Sequence, residues 1–245
     1  MPESTNTMSS LASQPLPRHI AIIPDGNRRW AKEHSLDAWK GHEAGAERIE
    51  EIVREGRRLG IREVSFWGSS LENLSKRPMQ EKQELLRIYA VYFEKLMADA
   101  DVFKDKVKIR CIGHWREQFP ESLKQILEKG IEATKEHDQY FINFFLAYSG
   151  DDDMLQAIRR ISGEGLAPGM VTEGVVKSHL MTAELPSVDL LIRTGDDPHL
   201  SAGFMMWETK DTQLYFPNCH FPDFGAAGIQ AALEEYQRRQ RRFGG

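Results

Sequence analysis

A carboxylate, an amide and two guanidinium groups follow a short apolar run near the amino terminus. The run is IAII, residues 20–23, inside the stretch IAIIPDGNRRWAKEH. A β-branched block bounded by turn residues predicts a strand buried on both faces, and open α/β sheets bind ligands at the carboxyl ends of such strands. The same residues also fit a helix-capping aspartate followed by solvated arginines, and the stretch alone favours neither interpretation. The residues that follow the run are Asp25, Gly26, Asn27, Arg28 and Arg29.

Three more clusters of polar side chains follow apolar runs further along the chain. Because the carboxyl ends of parallel strands lie at one edge of a sheet, these clusters are predicted to converge there. Arginines and helix N-termini bind phosphate oxygens, and carboxylates bind Mg²⁺, so the convergence predicts a metal-bridged polyphosphate site. Each cluster taken alone fits caps, turns and solvated charge better. The clusters are Ser70, Asn73 and Arg77; Tyr148 to Asp153; and Arg193, Asp197, His199 and Ser201.

Strands and helices must alternate along the chain to bring these clusters together. Six apolar runs predict strands, at 20–23, 62–68, 107–113, 140–150, 188–195 and 212–216. Amphipathic stretches predict the main helices, at 41–60, 78–100, 121–136, 153–162 and 224–243. The alternation predicts the α/β class, with a mostly parallel six-stranded sheet covered by helices on both faces. We expect one domain over residues 18–245, after a disordered tail at 1–17.

Composition excludes several classes of protein. The 245 residues carry a net charge of −5, so no global positive field is available to gather nucleic acid. No apolar run approaches the roughly 20 residues of a membrane span, and the first residues lack the pattern of a signal peptide. Cys111 and Cys219 show no metal-binding or disulfide pattern. We expect a cytoplasmic protein, and the terminal RRQRR at 238–242 favours a solvated helix end over a contact with anionic lipid.

Five segments resemble, in order, the cis-prenyltransferases of the undecaprenyl diphosphate synthase type. They are IAIIPDGNRRWAK, GHEAGAERI, SLENLSKRP, LAYSGDDDML and DLLIRTGDDPHLSAGFMMWETKDTQLYFPNCHFPDF, and the resemblance covers residues 18–243. It implies an enzyme that condenses isopentenyl diphosphate with an allylic diphosphate, such as farnesyl diphosphate, to a Z-polyprenyl diphosphate for a lipid carrier. It also implies Mg²⁺ as cofactor and a homodimer. A peripheral membrane contact for product release is a further expectation.

The resemblance implies a role for each matching position. Asp25 is implied to hold Mg²⁺ and engage the allylic diphosphate, Asn27 to help move a proton, and Asn73 to assist removal of a proton from the condensing substrate. An allylic carbocation needs a dry apolar wall, which the aromatic and leucine-rich helix at 78–100 is expected to supply as a tunnel. The other implied substrate-binding residues are Gly26, Arg28, Arg29, Trp30, His42, Ser70, Arg77, Arg193, His199 and Ser201.

Several positions depart from the pattern of that family. Ala38 and Asp151 stand where arginines are usual, and His199 replaces a phosphate-binding arginine by a group that is mostly neutral at pH 7. Gln213 stands where a metal-binding glutamate is usual, and an amide is a weaker ligand for Mg²⁺ than a carboxylate. The segment SAGFMMW is one residue longer than usual. The implied metal ligands besides Asp25 are therefore Asp197 and Gln213, with three acids able to substitute for the amide, namely Glu208, Asp211 and Asp196.

Two other functions remain open from the sequence. Some members of the superfamily are non-catalytic partner subunits, and others make short or branched terpenyl diphosphates. A non-catalytic subunit is expected to lose the cradle around Asp25, which is complete here, so an enzyme is favoured. The sequence does not set product length, because length depends on the side chains that floor the expected tunnel.

Overall fold

Six strands form one sheet in the computed structural model, which describes residues 15–240. They are β1 (His19–Ile23), β2 (Glu63–Trp67), β3 (Val107–Ile112), β4 (Tyr140–Phe145), β5 (Leu190–Arg193) and β6 (Gln213–Tyr215). The strand order is β3-β4-β2-β1-β5-β6, and every neighbouring pair is parallel. The predicted α/β class and six-stranded sheet are confirmed. The expected tail at 1–17 lies mostly outside the described residues, of which 15–17 form no helix or strand.

The helices lie between the strands, as the alternation predicted, with three short additions. They are α1 (Asn27–Glu33), α2 (Ala38–Leu59), α3 (Leu71–Lys76), α4 (Met79–Ala98), α5 (Ala100–Lys104), α6 (Trp115–Gln118), α7 (Glu121–Thr134), α8 (Gly150–Gly163), α9 (Glu173–Ser178) and α10 (Phe221–Gln240). The short helices α3, α5 and α6 were not predicted, because four to six residues are too few to show a helical period. Among residues 15–240, no helix is long and apolar enough to cross a bilayer.

Each face of the sheet buries its own apolar cluster. On one face, Ile22 and Phe66 pack with side chains from α2, α4, α7 and α10. On the other face, Ile23, Trp67 and Phe145 pack with Phe204 from the segment between β5 and β6. Successive strand residues point to opposite faces, so a strand with buried side chains at every position must be covered on both sides. This explains the near-continuous apolar runs in the sequence.

The order of the strands creates a crevice between β1 and β5. The chain leaves β1 towards β2 on one side, and it leaves β5 towards β6 on the other. Open parallel sheets bind ligands where neighbouring connections diverge in this way. Ile23, at the end of β1, pairs with Arg193, at the end of β5, so the residues that follow β1 lie beside Arg193 at this crevice.

Candidate active site

A cavity of about 1280 Å³ opens at the carboxyl edge of the sheet. It is lined by residues of β1, β5, α1, α2, α4 and the turn into α3. Most of the predicted site residues line it, although they come from four distant segments of the chain. These are Asp25, Gly26, Asn27, Arg28, Arg29, His42, Ser70, Asn73, Arg77, Arg193 and Ser201. Four predicted residues do not line it, namely Trp30, Asp197, His199 and Gln213.

Asp25 and Arg193 meet at the crevice between β1 and β5. The guanidinium of Arg193, which is 5% exposed, donates from Nη2 to Asp25 Oδ2 at 2.7 Å. The other Asp25 oxygen accepts the backbone N–H of Gly26 at 2.6 Å and lies 3.4 Å from Arg29 Nη2. One carboxylate thus joins two guanidiniums at the mouth of the cavity. The arrangement places two positive charges within reach of a bound anion, with a carboxylate between them.

Gly26 makes the turn from β1 into α1. Its φ of 94° lies in the left-handed region, which glycine adopts without strain. A Cβ at this position would lie 2.5 Å from Nδ1 of His220, so the turn also requires the missing side chain. Because the chain turns sharply here, α1 begins next to Asp25 and carries Arg28 and Arg29 to the cavity.

The donor set at Asp25 fits a Mg²⁺ ion held jointly with phosphate oxygens of a bound molecule. Within residues 15–240 no group of three or more His, Cys, Asp or Glu side chains is arranged to hold a metal ion. Mg²⁺ commonly takes only one or two carboxylates and completes its shell with water and phosphate oxygens. The Asp25 side chain is 32% exposed at the mouth of the cavity, so its carboxylate is accessible for this role.

Glu81 joins three basic groups of the cavity, and the sequence did not point to it. Its carboxylate, which is 9% exposed, accepts from Arg77 Nη1 at 2.5 Å and lies 3.6 Å from Arg28 Nε. His42 Nε2 lies 3.6 Å from the same oxygen and 2.9 Å from Arg77 Nη1. The guanidinium can only donate, so Nε2 of His42 is the acceptor there. Glu81 therefore orients basic side chains contributed by α1, by α2 and by the residue that follows α3.

Charge and burial set the protonation states in this cluster. The close approach of His42, together with the charges of Arg77 and Arg28, lowers the pKa of Glu81 from 4.5 to about 2. Burial, followed by the charge of Arg77, lowers the pKa of His42. Glu81 is therefore a carboxylate and His42 is neutral at pH 7. The stabilisation from the Glu81 carboxylate is present above pH 4.5 and is lost as the pH falls towards 2, because the folded-state pKa is depressed.

Replacing Glu81 by glutamine is expected to weaken the binding of a phosphorylated substrate at the mouth of the cavity without unfolding the protein. The amide removes the charge that holds Arg77 and Arg28, so both guanidiniums lose their fixed positions. The resemblance implies that Arg28 and Arg77 bind an allylic diphosphate, so we expect KM for that substrate to rise about tenfold, equivalent to roughly 1.4 kcal/mol, with a smaller change for isopentenyl diphosphate. Steady-state kinetics with each substrate varied in turn would measure this. Glu81→Asp, which keeps the charge, serves as the rescue, and equal effects on both substrates would contradict this assignment.

Three predicted residues make structural contacts with other parts of the protein. Ser70 caps α3, since its Oγ accepts the backbone N–H of Asn73 at 2.9 Å. Asn27 donates from Nδ2 to the carbonyl of Pro24 at 2.8 Å, and its buried Oδ1 faces Gly45 with no hydrogen-bond partner in the described part of the chain. Trp30 donates to Asp223 at 2.8 Å, away from the cavity lining.

The segment after β5 surrounds the guanidinium of Arg193. Arg193 Nη1 donates to the carbonyl of His199 at 2.8 Å, and Nη2 lies 3.5 Å from Asp197 Oδ2. The His199 ring pairs with Asp197, with Nδ1 and Oδ1 2.9 Å apart, and both side chains are about half exposed. The carbonyl of His199 therefore holds Arg193, while its side chain lies outside the cavity lining.

Gln213 and Glu208 lie away from Asp25 within this chain. Gln213 pairs with Leu190 at the start of β5, whereas the site lies at the other end of that strand, beside Arg193. Glu208 is 3% exposed and bonds Lys177 and the Thr182 hydroxyl. Its Oε2 has no hydrogen-bond partner among residues 15–240. The expectation that Glu208 could replace the missing glutamate is therefore wrong, because that carboxylate is committed to a buried contact.

The cavity extends from this polar mouth between α2 and α4. Apolar and aromatic side chains of both helices and of β2 and β4 form most of its wall there, including Ile49, Val53, Leu85, Ile88, Tyr89, Phe93, Phe66, Ile142 and Phe144. The helix predicted at 78–100 therefore supplies one side of the wall as α4. A parallel α/β sheet whose crevice carries guanidiniums and a carboxylate, continuous with an apolar cavity, defines a class of proteins that handles a phosphorylated apolar molecule.

Comparison with known proteins identifies the family. The family model of undecaprenyl diphosphate synthases matches residues 23–244. A tritrans,polycis-undecaprenyl-diphosphate synthase (geranylgeranyl-diphosphate specific) from Methanocaldococcus jannaschii is 34% identical over 94% of this chain and 83% of its own. An isoprenyl transferase from Thermus thermophilus is 34% identical over 94% of this chain and 89% of its own. The chain belongs to the undecaprenyl diphosphate synthase family of cis-prenyltransferases, and it is an enzyme of the prenyl diphosphate synthase type.

A solved structure agrees with this assignment. The crystal structure of lavandulyl diphosphate synthase from Lavandula x intermedia, in complex with dimethylallyl diphosphate, superposes with a TM-score of 0.86. The two chains are 31% identical, and the match covers 91% of this chain and 95% of the other.

Proposed function

We propose that this enzyme condenses isopentenyl diphosphate with an allylic diphosphate, such as farnesyl diphosphate, to a long Z-polyprenyl diphosphate of the kind used as a lipid carrier. The observation that carries the proposal is a polar mouth with Asp25, Arg29 and Arg193 on a cavity of about 1280 Å³ whose deeper wall is apolar. Pockets for drug-sized ligands typically occupy about 300–1,000 Å³. The larger cavity favours a long hydrocarbon product.

Different side chains at the mouth are proposed to bind each of the two diphosphates. We assign Arg28 and Arg29, at the start of α1, to the allylic diphosphate, and Arg193 with Ser201 to isopentenyl diphosphate; all four residues line the cavity. Asp25 lies between the two groups and would hold Mg²⁺, which supplies positive charge to the leaving diphosphate when bound. The guanidiniums stabilise the same developing negative charge from fixed positions.

The condensation has to remove one proton for each bond formed. The allylic C–O bond breaks and its electron pair leaves with the diphosphate. The double bond of isopentenyl diphosphate then attacks the allylic carbon, and one proton leaves the condensing substrate. Asn73 lines the cavity and is proposed to assist that removal, while Asn27 helps move the proton away. The apolar wall keeps water from the carbocation.

One assay separates this function from its alternatives. Purified protein is incubated with Mg²⁺, radiolabelled isopentenyl diphosphate and, in turn, dimethylallyl, geranyl, farnesyl and geranylgeranyl diphosphates, and the products are separated by reversed-phase chromatography. Long labelled polyprenols after dephosphorylation are the expected result. Products of one condensation only would favour a short or branched terpenyl diphosphate, which the likeness to lavandulyl diphosphate synthase makes the second candidate. No label with any primer would favour a non-catalytic subunit.

We further propose that the enzyme is a homodimer. The outer face of α8 carries Leu155 and Ile158, which are 44% and 53% exposed, and the exposed apolar residues Leu166, Met170 and Val171 follow it. Clustered exposed apolar residues of this kind mark interfaces. Light scattering is expected to give twice the chain mass of 28.1 kDa, and Ile158→Glu is expected to lower that mass. A monomeric wild type would contradict the proposal.

Changing Gln213 to glutamate is expected to alter the Mg²⁺ requirement little. Gln213 begins β6 beside Leu190, at the opposite end of β5 from Arg193 and Asp25, so we expect it to reach a metal at Asp25 only from a partner subunit. Asp197 lies outside the cavity lining, but its Oδ2 is 3.5 Å from Arg193 Nη2, and we propose that it supplies the second carboxylate. A titration of rate against Mg²⁺ for wild type and Gln213→Glu would measure the effect. A several-fold lower half-saturating concentration in the variant would instead indicate that the missing carboxylate has no substitute.

A further inference from the structure

The cavity changes from apolar to charged at the end far from Asp25. Its lining there includes Arg57 on α2 and Asp99, directly after α4, besides the apolar Val102 of α5. Along α2, the distance from His42 near the mouth to Arg57 is about 22 Å at 1.5 Å per residue. A hydrocarbon chain that grows from the mouth therefore approaches a guanidinium at the end of its path.

Arg57 is an unusual group for such a position. Its side chain is only 11% exposed, and its nearest carboxylates are Asp105 Oδ2 at 3.3 Å and Asp101 Oδ2 at 3.8 Å. The buried Nε of Arg57 has no hydrogen-bond partner among residues 15–240. A buried guanidinium with an unmatched donor needs water, and apolar atoms packed against it would remove that water. Further growth of the chain past Val53, one turn before Arg57, therefore becomes unfavourable.

We propose that Arg57 limits the length of the product by forming a charged floor to the apolar cavity. This inference rests on the proposed function, because it requires a growing prenyl chain in the cavity. Each added isoprene unit gains free energy by burying apolar surface, until the next unit would strip water from Arg57. Elongation stops where the free energy gained by burying one more isoprene unit no longer exceeds the cost of removing water from Arg57. Glu50, Arg54 and Lys95 extend the same charged end, with Lys95 Nζ 2.6 Å from Glu50 Oε2.

The test compares two arginines that are adjacent on α2. Arg57→Met replaces the charged floor with an apolar side chain of similar length, and the principal product is expected to lengthen by at least one isoprene unit. Arg58→Met is the matched control, because Arg58 pairs with Glu55 and does not line the cavity. Arg57→Lys keeps the charge and is expected to retain the wild-type length. Products are formed from radiolabelled isopentenyl diphosphate, Mg²⁺ and, in turn, the four allylic diphosphates named above, and are resolved by reversed-phase chromatography.

The outcomes distinguish this inference from the function on which it rests. An active Arg57→Met enzyme with an unchanged product length would overturn the role of Arg57 and leave the proposed function standing. No incorporation by the wild type would overturn the proposed function and the role of Arg57 with it. If Arg57→Met does not fold, Val53→Phe decides the point by filling the cavity just before Arg57. Shorter products from that variant support a chain that reaches this end, and an unchanged length contradicts it.

Discussion

Asp25→Ala is expected to lower kcat by about 10³-fold or more, which corresponds to roughly 4 kcal/mol of lost transition-state stabilisation. The carboxylate lies between Arg29 and Arg193 at the mouth of the cavity, where two diphosphates and Mg²⁺ are proposed to meet. Its loss removes the proposed metal ligand. It also frees Arg193, whose guanidinium then keeps the carbonyl of His199 and the more distant Asp197 as partners.

The measurement is the single-turnover rate with saturating substrates over a range of Mg²⁺ concentrations. The fold is expected to persist, which near-UV circular dichroism would verify, because the Asp25 side chain contributes little to the buried core. Asp37→Ala is the matched control, since Asp37 is an exposed aspartate at the start of α2 whose side chain makes no capping hydrogen bond. A near wild-type rate and an unchanged Mg²⁺ dependence in Asp25→Ala would remove Asp25 from the mechanism.

The sequence predicted that the polar clusters lie at one edge of the sheet because parallel strands end together. The apolar runs at 20–23 and 188–195 were assigned to one sheet edge, and the register of β1 and β5 brings Ile23 beside Arg193. No spatial information beyond the strand assignments was needed. The fold class was predictable for the same reason, since a strand buried on both faces leaves a nearly uninterrupted apolar run in the sequence.

Other features depend on tertiary geometry that one sequence does not encode locally. Glu81 is one acid in the first turn of a helix, where an acidic residue is common, and only the fold shows that Arg28, Arg77 and His42 surround it. Glu208 lies close in sequence to Gln213, but the fold of the segment before β6 buries its carboxylate against Lys177. Nearness along the chain was therefore a poor guide in the long connection from β5 to β6.

The distal floor of the cavity illustrates the same limit. In the sequence, Arg57 and Arg58 are two basic residues in the last turn of a helix, and both fit a favourable interaction with the helix dipole. The packing of α2 against α4 and α5 gives the two arginines different surroundings. Arg57 lines the cavity, whereas Arg58 lies on the outer surface beside Glu55. A prediction of product length therefore needs the structure.

Gly41→Ala is expected to destabilise the fold and to displace α1, the helix that carries Arg28 and Arg29, which are proposed to bind phosphate. A Cβ at Gly41 would lie 1.9 Å from the carbonyl oxygen of Asn27 and 2.6 Å from its carbonyl carbon. Both are backbone atoms at the first residue of α1, so no side-chain rotation can relieve the clash. Overpacking of a well-packed site typically costs about 1–3 kcal/mol and occasionally more. We expect the upper end of that range, with a matching loss of activity because α1 must move.

Gly56, which lies on α2 like Gly41, provides the control. A Cβ at Gly56 would meet its nearest neighbour, Ile61 Cβ, at 3.7 Å, which is an ordinary contact. Gly56→Ala is therefore expected to be tolerated or to stabilise α2 by about 0.5–1 kcal/mol, because alanine loses less backbone entropy than glycine in a helix. Urea denaturation of both variants would measure the difference in the free energy of unfolding. Equal stabilities would mean that α1 does not depend on close approach to α2 at Gly41, and the position of Arg28 and Arg29 would then need another explanation.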